Sequence, residues 1–439
     1  MKSIFIENKK YSYDRVNLDI QEKTKKFCLI SDALFILEAD NSYKFITDYF
    51  GLRKTKNSIL VIENYNFIDK NLISNLNQSF KYIYKPNGDI LKNLIKQKNQ
   101  INDVELILSS GTTSQKKIIV LSKETINQNT RRINSQFNVD SNACELILMP
   151  LFHSFGITRL RCAFDRNSSI YLSSKLLDHY ILKKCFDYEN KVFIGAVSKG
   201  LDLFVSFFKK YLTTQKDKFF YIETGSMEIS SNLLHKINTI FKNKIHFHHY
   251  GSSEASRSFF ANNKDLEFNI QNLGKISKGL NFKIIKNELC IKGSNLFLGY
   301  IDKGKISTKI NDEEMFSKDG FFKTGDYVEL DDKSLIFKSR KKEIINLNGF
   351  KYSPIELENK LFDHIDEKFD ACVIQFPGDN DYFIVFEHNP KSNKKYDDVI
   401  NKISKEVFLI KPIRIIYNKI KKTSSGKKIR KYELYSDKF

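Results

Sequence analysis

With 439 residues, 41% of them hydrophobic, the chain can bury a large core and should fold as an ordinary globular protein of at least two domains. Its 72 lysines and arginines against 52 aspartates and glutamates leave a net charge of +20. The lysines are scattered through nearly every segment among many Asn, Ile, Phe and Tyr, which argues against a focused nucleic-acid patch and leaves a basic surface suited to polyanions.

Before residue 105, short apolar runs at 27–30, 59–62 and 82–84 alternate with amphipathic, Asn- and Lys-rich stretches, a rhythm of alternating strands and helices. An apolar run at 104–108 then enters SSGTTSQKK and leaves through a β-branched run at 118–121, predicting strand, turn, strand. Small hydroxyl residues let backbone N–H groups approach phosphate oxygens, and lysine adds a mobile cation, so this loop reads as phosphate-binding. It is not a Walker A loop, because Lys116 and Ile118 stand where that motif needs Gly and Ser or Thr. A polar hairpin tip is the alternative reading.

Ser122 is a candidate N-cap for a helix from 123 to about 135. A buried strand is expected at 146–150, leading into an aromatic loop, LFHSFG, that carries His153. Strands at 191–197 and 219–223 end in small residues, Ser198 and Thr224-Gly225-Ser226, the way open α/β sheets build sites at their carboxyl edge. The next strand, IHFHH at 245–249, would put His246 and His248 on one face, where a metal pair is conceivable beside the alternative of structural histidines. It runs into YGSSE, whose Tyr250, Ser253 and Glu254 offer a flat ring, a hydroxyl and a carboxylate for a base, a phosphate and Mg²⁺.

Asp326 follows a tight turn in FFKTGD, and the charged run 338–343 lies after a strand at 334–337, where a linker between domains would fall. Ser353-Pro-Ile-Glu356 reads as a capping box with Pro at the first helical position. Strands at 371–376, 383–386 and 413–417 and a helix at 397–408 complete a small domain, which ends on a second lysine-bearing loop, KKTSSGKK. The six cysteines lie far apart without CxxC spacing, predicting no disulfide and no zinc site. The N-terminus lacks a signal-peptide core and no long uncharged run follows, so a cytoplasmic protein without a membrane span is expected.

Taken in order, SSGTTSQKK, MPLFHSFG, YGSSEAS, NELCIKGSNLFLGY, FKTGDYVEL, SRKKEIINLNGFKYSPIELE and KKTSSGKKIRK resemble the motifs of the adenylate-forming acyl-CoA synthetases, aryl and acyl ligases and luciferases. The match runs from Leu106 to Leu434, and the first hundred residues resemble the family only loosely. The resemblance implies a large N-terminal α/β domain of several subdomains (1–341) and a small mobile α+β C-terminal domain (342–439). It implies ATP-dependent conversion of a carboxylic acid to an acyl adenylate with release of pyrophosphate, then transfer to a thiol of coenzyme A or of the phosphopantetheine of an acyl carrier protein.

By position, Ser110, Thr112, Thr113, Ser114 and Lys117 would hold the β- and γ-phosphates, and Tyr250 would lie against adenine near Gly225, Ser226 and Gly251. Ser253 would touch the α-phosphate, Glu254 would bind Mg²⁺, and Asp326 with Arg340 would take the ribose. Lys427 would be the catalytic lysine, Lys342 the hinge, and the loop around Gly349 would face the site for thioester formation. His153 stands where amino-acid-activating relatives place an aspartate, which implies a simple acyl or aryl acid bound near Phe152, Phe155, Val197 and Ser198. The chain departs from the family at Ser114, Lys116 and Ile118 (Gly, Pro, Gly), at Ser253 (Thr), at Asn346 (Lys) and at Lys421 (Pro). The alternative is a catalytically degenerate relative acting as a basic binding or scaffolding protein.

Overall fold

In the computed structural model the described residues are 2–6, 9–92, 101–109, 116–139, 142–173, 178–225, 229–242, 244–310, 313–332, 334–365, 369–378, 380–388, 396–423 and 427–439. They divide into two compact units, one of Met1–Ser109, Gln115–Phe282 and Ile291–Phe322, the other of Lys283–Cys290 and Lys323–Phe439.

The first unit is built on two large sheets. In the eight-stranded sheet the order is Lys305–Ser307, Gly299–Asp302, Ile118–Ser122, Val104–Leu108, Ser58–Ile62, Ala33–Glu38, Tyr82–Tyr84, Ile90–Lys92. The three strands at its centre, Val104–Leu108, Ser58–Ile62 and Ala33–Glu38, run parallel, and Ser58–Ile62 is buried along its whole length. The run at 27–30, expected as a strand, is instead the end of the helix Tyr13–Cys28 and its cap. Its Phe27 packs edge-on against Phe35 of the true strand, with ring centroids 5.2 Å apart.

Six parallel strands form the body of the nine-stranded sheet, in the order Ile245–Tyr250, Phe219–Gly225, Val192–Val197, Cys144–Ile147, Ile170–Leu172, Ser3–Ile6. Antiparallel strands close both edges. Cys144–Ile147 lies earlier than the expected 146–150, because its two neighbours pair with residues 144–147 and Pro150 has no N–H to give a ladder. One core, including Ile4, Val16, Phe35, Tyr49, Val61, Leu151, Leu160 and Ile170, joins the two sheets through the helices between them.

Most of a four-stranded sheet, Asn281–Ile285, Glu288–Lys292, Phe322–Asp331 and Ser334–Arg340, belongs to the second unit. Ser334–Arg340 runs three residues beyond the expected 337 and is followed by a single 3₁₀ turn, Lys341–Glu343. A hairpin of Ile345–Leu347 and Phe350–Tyr352 turns through Asn348 (φ 54°) and Gly349 (φ 84°), the Asn-Gly pair that a two-residue turn with both φ positive requires. Strands Phe369–Gln375, Tyr382–His388 and Arg414–Tyr417 form a three-stranded sheet packed against helices Pro354–His364 and Asp397–Phe408. The capping box at Ser353 does not form, because the Ser353 hydroxyl donates to Lys338 O at 2.5 Å instead of capping the helix. Five of the cysteines are buried and Cys28 is exposed, and no disulfide joins any of the six.

Candidate active site

The site begins at the carboxyl edge of the parallel strands, where each strand hands the chain to a tight turn. After Cys144–Ile147 the chain turns directly into the helix Ser154–Asp165, so Phe155 and Gly156 are its first turn and not the loop expected from sequence. Gly156 is required there, since a Cβ would lie 2.3 Å from Pro150 O. His153 is the N-cap residue, makes no side-chain cap, and rests on Phe152 with ring centroids 4.3 Å apart. Burial pushes its imidazole pKa down, Glu63 opposes that, and Lys116 adds to it, so the ring is neutral at pH 7.

Gly225 ends the strand Phe219–Gly225 beneath the His249 ring, whose Cε1 would lie 2.2 Å from a Cβ at 225. His249 in turn meets Phe155 edge-on at 4.9 Å. His246 and His248 do share a strand face, but each places a ring nitrogen on Thr224 Oγ1, at 2.9 and 2.8 Å. Among the described residues no group of three or more His, Cys, Asp or Glu could hold a metal ion. Both rings are thus tied to Thr224, and burial brings each pKa down to about 3.

Glu223 lies beneath this edge as the hub of a buried charge network. Arg257 Nε and His249 Nδ1 both lie 2.7 Å from its Oε1, and Arg159 Nη1 lies 3.1 Å from its Oε2. Arg159 also makes a two-pronged pair with Glu145 at 2.6 and 2.7 Å. Burial opposes the Glu223 charge, but Arg257, His249 and Arg159 outweigh it and hold the carboxyl far below the usual range. This network anchors the loop after Tyr250. Arg257 sits at its end with φ 48°, and Arg132 donates to Ser256 O and Arg257 O, both at 2.9 Å. A Cβ on Gly251 would lie 2.4 Å from Arg257 N, so this close return needs glycine.

Ser253 and Glu254 ride on that loop. Ser253 Oγ lies 3.4 Å from Ser154 Oγ, which brings the loop to the helix that His153 caps. The Glu254 carboxylate is half-buried and accepts a 2.7 Å hydrogen bond from Tyr300 OH. Lys117 reaches the same ring, with Nζ 5.0 Å from its centroid. The strands Val104–Leu108 and Ile118–Ser122 form the expected hairpin, whose base is tied by Ser109 N–H to Lys117 O and by Lys117 N–H to Ser109 Oγ, both 2.9 Å. Ser110, Thr112, Thr113, Ser114 and Ser226 lie outside the described residues. Tyr250 is half-buried, its ring 6.0 Å from that of Phe259.

In the second unit, Asp326 and Arg340 are cross-strand partners with Arg340 Nε 3.2 Å from Asp326 Oδ1. Lys342 is exposed in the 3₁₀ turn. Lys427 closes a hairpin in which Thr423 N–H donates to Lys427 O at 2.8 Å and Lys427 N–H donates to Thr423 Oγ1 at 3.1 Å. Its neighbour Lys428 is the anchor, 2.8 Å from Glu358 Oε2 and 2.9 Å from Asp370 Oδ1.

The structure thus joins Lys117 to Glu254, and Ser253 to the His153 turn, within the first unit. Sequence reasoning missed Tyr300, although it closes the quoted motif NELCIKGSNLFLGY. It also missed Glu223 and Arg257, which no local pattern marks.

The family model described as AMP-binding enzyme matches residues 45–301, more than half of the chain. The chain is 26% identical over 365 residues to a protein of Arabidopsis thaliana called 4-coumarate-CoA ligase-like 9, covering 76% of this chain and 62% of that one. It is 26% identical over 354 residues to the oxalate-CoA ligase of Saccharomyces cerevisiae, covering 74% and 62%. It therefore spans less than two thirds of the length of these relatives. In fold it is similar to ATP-bound MatB from Rhodopseudomonas palustris, with a TM-score of 0.78 at 13% identity over 98% of this chain and 94% of that one. It is also similar to o-succinylbenzoate CoA synthetase from Bacillus subtilis in complex with its acyl-adenylate intermediate, with a TM-score of 0.78 at 15% identity and the same coverage. With the motif order and the site geometry, the family match establishes that this chain belongs to the AMP-binding enzymes of the adenylate-forming superfamily.

Proposed function

We propose that this chain is an AMP-forming acid-thiol ligase that activates a carboxylic acid other than an amino acid and passes the acyl group to coenzyme A. The observation that carries this reading is the Lys117–Tyr300–Glu254 arrangement, a cation and a carboxylate held on one aromatic ring, all within the region matched by the family. An acid oxygen attacks the α-phosphorus of ATP and pyrophosphate leaves; a thiolate then attacks the acyl carbonyl and AMP leaves. Lys117 supplies charge for phosphate oxygens, Ser253 a hydroxyl, and neutral His153 a hydrogen-bonding wall on the acid side. In the second unit, Asp326 and Arg340 are proposed for the ribose and Lys427 for the charge that builds during attack.

The residues present fit Mg²⁺ delivered with the nucleotide. Glu254 gives a hard anionic oxygen, and magnesium is commonly held by one or two carboxylates with substrate phosphates completing its shell. Held by Glu254, the ion would supply positive charge against the phosphate oxygens. The names of the relatives, as ligases of coenzyme A, support that thiol as acceptor, with a carrier-protein thiol as the second candidate. In place of an aspartate the acid side presents a neutral histidine, which favours an acyl or aryl acid over an amino acid.

The test is pyrophosphate release across a panel of carboxylic acids with Mg-ATP, each with and without coenzyme A. Acid-dependent release that yields an acyl-CoA is expected, and Glu254→Gln should lose it while keeping its melting temperature. Absence of acid-dependent release across aliphatic, dicarboxylic and aryl acids would overturn the reading.

A further inference from the structure

The segment 296–302 touches both charge-bearing elements of the first unit. At one end, Phe297 N–H donates to Glu254 O at 2.9 Å and Leu296 forms an isolated bridge with Ala255. At the other, Leu298 N–H donates to Val120 O at 2.8 Å, and Gly299 and Tyr300 pair with Val120 and Ile119. A seven-residue strap therefore registers the Glu254 loop against the strand that follows Lys117. Gly299 is obligatory in it, with φ 145° and a Cβ position 2.5 Å from Ser307 O.

Tyr300 is the side chain that makes this register count. It stands opposite Ile119, and Lys117 lies two residues before Ile119, just ahead of the strand, from where its ammonium reaches the ring. The ring is wedged against Phe297, with centroids 5.1 Å apart, and Phe297 is itself packed by Phe316 and Phe322. With its ring held, the hydroxyl meets Glu254 Oε1 at 2.7 Å.

We propose that Tyr300 is a positioning residue for both halves of Mg-nucleotide binding: its hydroxyl orients the Glu254 carboxylate toward the cation, and its ring face holds the Lys117 ammonium toward the phosphates. The inference rests on the nucleotide reading of this site. A hydrogen bond to a carboxylate is about twice as strong as one between neutral groups, so the hydroxyl fixes one Glu254 rotamer before the ion arrives. Cation–π contact is weaker and sequence-blind, so it biases Lys117 without immobilising it. A ring that merely filled space would affect melting and leave the magnesium dependence untouched.

Two substitutions separate the two contacts. Tyr300→Phe keeps the ring and its shape and removes only the hydroxyl; Tyr300→Leu removes both. Calorimetric titration of ATP at a series of Mg²⁺ concentrations, and of ATP in EDTA, reads the two effects directly, with pyrophosphate release as a further readout. For Tyr300→Phe the expectation is a roughly tenfold rise in the Mg²⁺ needed for half-maximal ATP binding, with metal-free ATP affinity within about twofold of the parent. For Tyr300→Leu the metal-free affinity should also fall, by roughly threefold or more. Where Tyr300→Leu lacks a cooperative melt, Tyr300→Phe alone decides. An unchanged magnesium dependence in Tyr300→Phe, or an equal loss with and without the metal, overturns the proposal. Failure of the parent protein to bind Mg-ATP at all would instead remove the nucleotide reading on which it rests.

Discussion

Asp326 stands directly across from Arg340 on antiparallel strands, and the two side chains meet with Arg340 Nε 3.2 Å from Asp326 Oδ1. The turn before Asp326 is set by Thr324, whose hydroxyl donates to Leu289 O at 2.8 Å and accepts from Asp326 N–H at 3.1 Å. The Asp326 side chain is 5% exposed and that of Arg340 47%, so the carboxylate is fixed and the guanidinium is the adjustable partner. If the pair acts on the ribose as one unit, Asp326→Ala and Arg340→Ala should each raise the KM for ATP about tenfold, and the double variant should do little more than either. A double-mutant cycle on that KM checks this, and fully additive losses would show that the two act separately.

Adjacent lysines at 427 and 428 should behave in opposite ways. Burial works against the charge of Lys428, but Glu358 and Asp370 more than offset it and hold its pKa above the usual lysine value. Its side chain is 22% exposed and it also donates to Ala371 O at 2.6 Å. Lys428→Ala should therefore destabilise the chain by about 2 kcal/mol, since it removes one of two cations from each carboxylate, leaving Glu358 with Arg430 and Asp370 with Lys422. Lys427→Ala should leave the melt unchanged and abolish pyrophosphate release. Comparing thermal unfolding and activity for the two variants tests both statements, and normal release by Lys427→Ala would end its catalytic assignment.

The 3₁₀ turn Lys341–Glu343 has two contacts about it: Ser353 Oγ spans it to reach Lys338 O at 2.5 Å, and Arg430 Nε lies 3.4 Å from Oε2 of its last residue, Glu343. Any rotation concentrated at Lys342 must break the first of these. Ser353→Ala should thus change the ratio of adenylation to thioester formation by about two- to fivefold while costing little stability, because the hydroxyl does not cap its helix. Lys342→Pro, which fixes φ near −65° and removes an N–H, should lose one half-reaction selectively. Separate assays of pyrophosphate release and acyl-CoA formation measure this, and equal effects on both half-reactions would count against a hinge at 342.

Stability should fall as pH drops below about 6.5. His246 is 1% exposed and burial lowers its pKa to about 3, so in the folded chain it stays neutral while the unfolded chain takes up a proton near 6.5. The unfolded state then binds more protons between these values, and unfolding becomes easier as pH falls through that window. At pH 5 this amounts to roughly 2 kcal/mol from His246. His248, lowered to about 3 by burial and then by His249 and His246, adds to the same trend. Glu223, depressed in the fold, contributes stability that is lost at lower pH still. Denaturant unfolding between pH 5 and 7 measures the slope, which should flatten in His246→Gln; a parent protein with no slope in this range would refute the assignment of a neutral buried histidine.

Much of the architecture follows from local pattern. The β-branched run that became Ile118–Ser122, the hydroxyl cap at Ser122 and the 3.6-residue period of Asp397–Phe408 each encode their element within a few residues. Spacing between motifs was enough to reveal the family, since the matched region 45–301 holds the loop at Lys117, the His153 turn and the Glu254 loop in the expected order. What sequence could not decide was which distant groups meet. Tyr300 and Glu254 are 46 residues apart and come together only because the strap pairs with both a loop of one sheet and a strand of the other. Ser353 has the composition of a capping box, yet its hydroxyl goes to Lys338 O, 15 residues back, because the sheet brings that carbonyl within 2.5 Å. Periodicity and propensity act over one or two turns of chain, whereas the partner of a buried polar group is chosen by whichever segment the packing delivers, and that choice belongs to the tertiary structure alone.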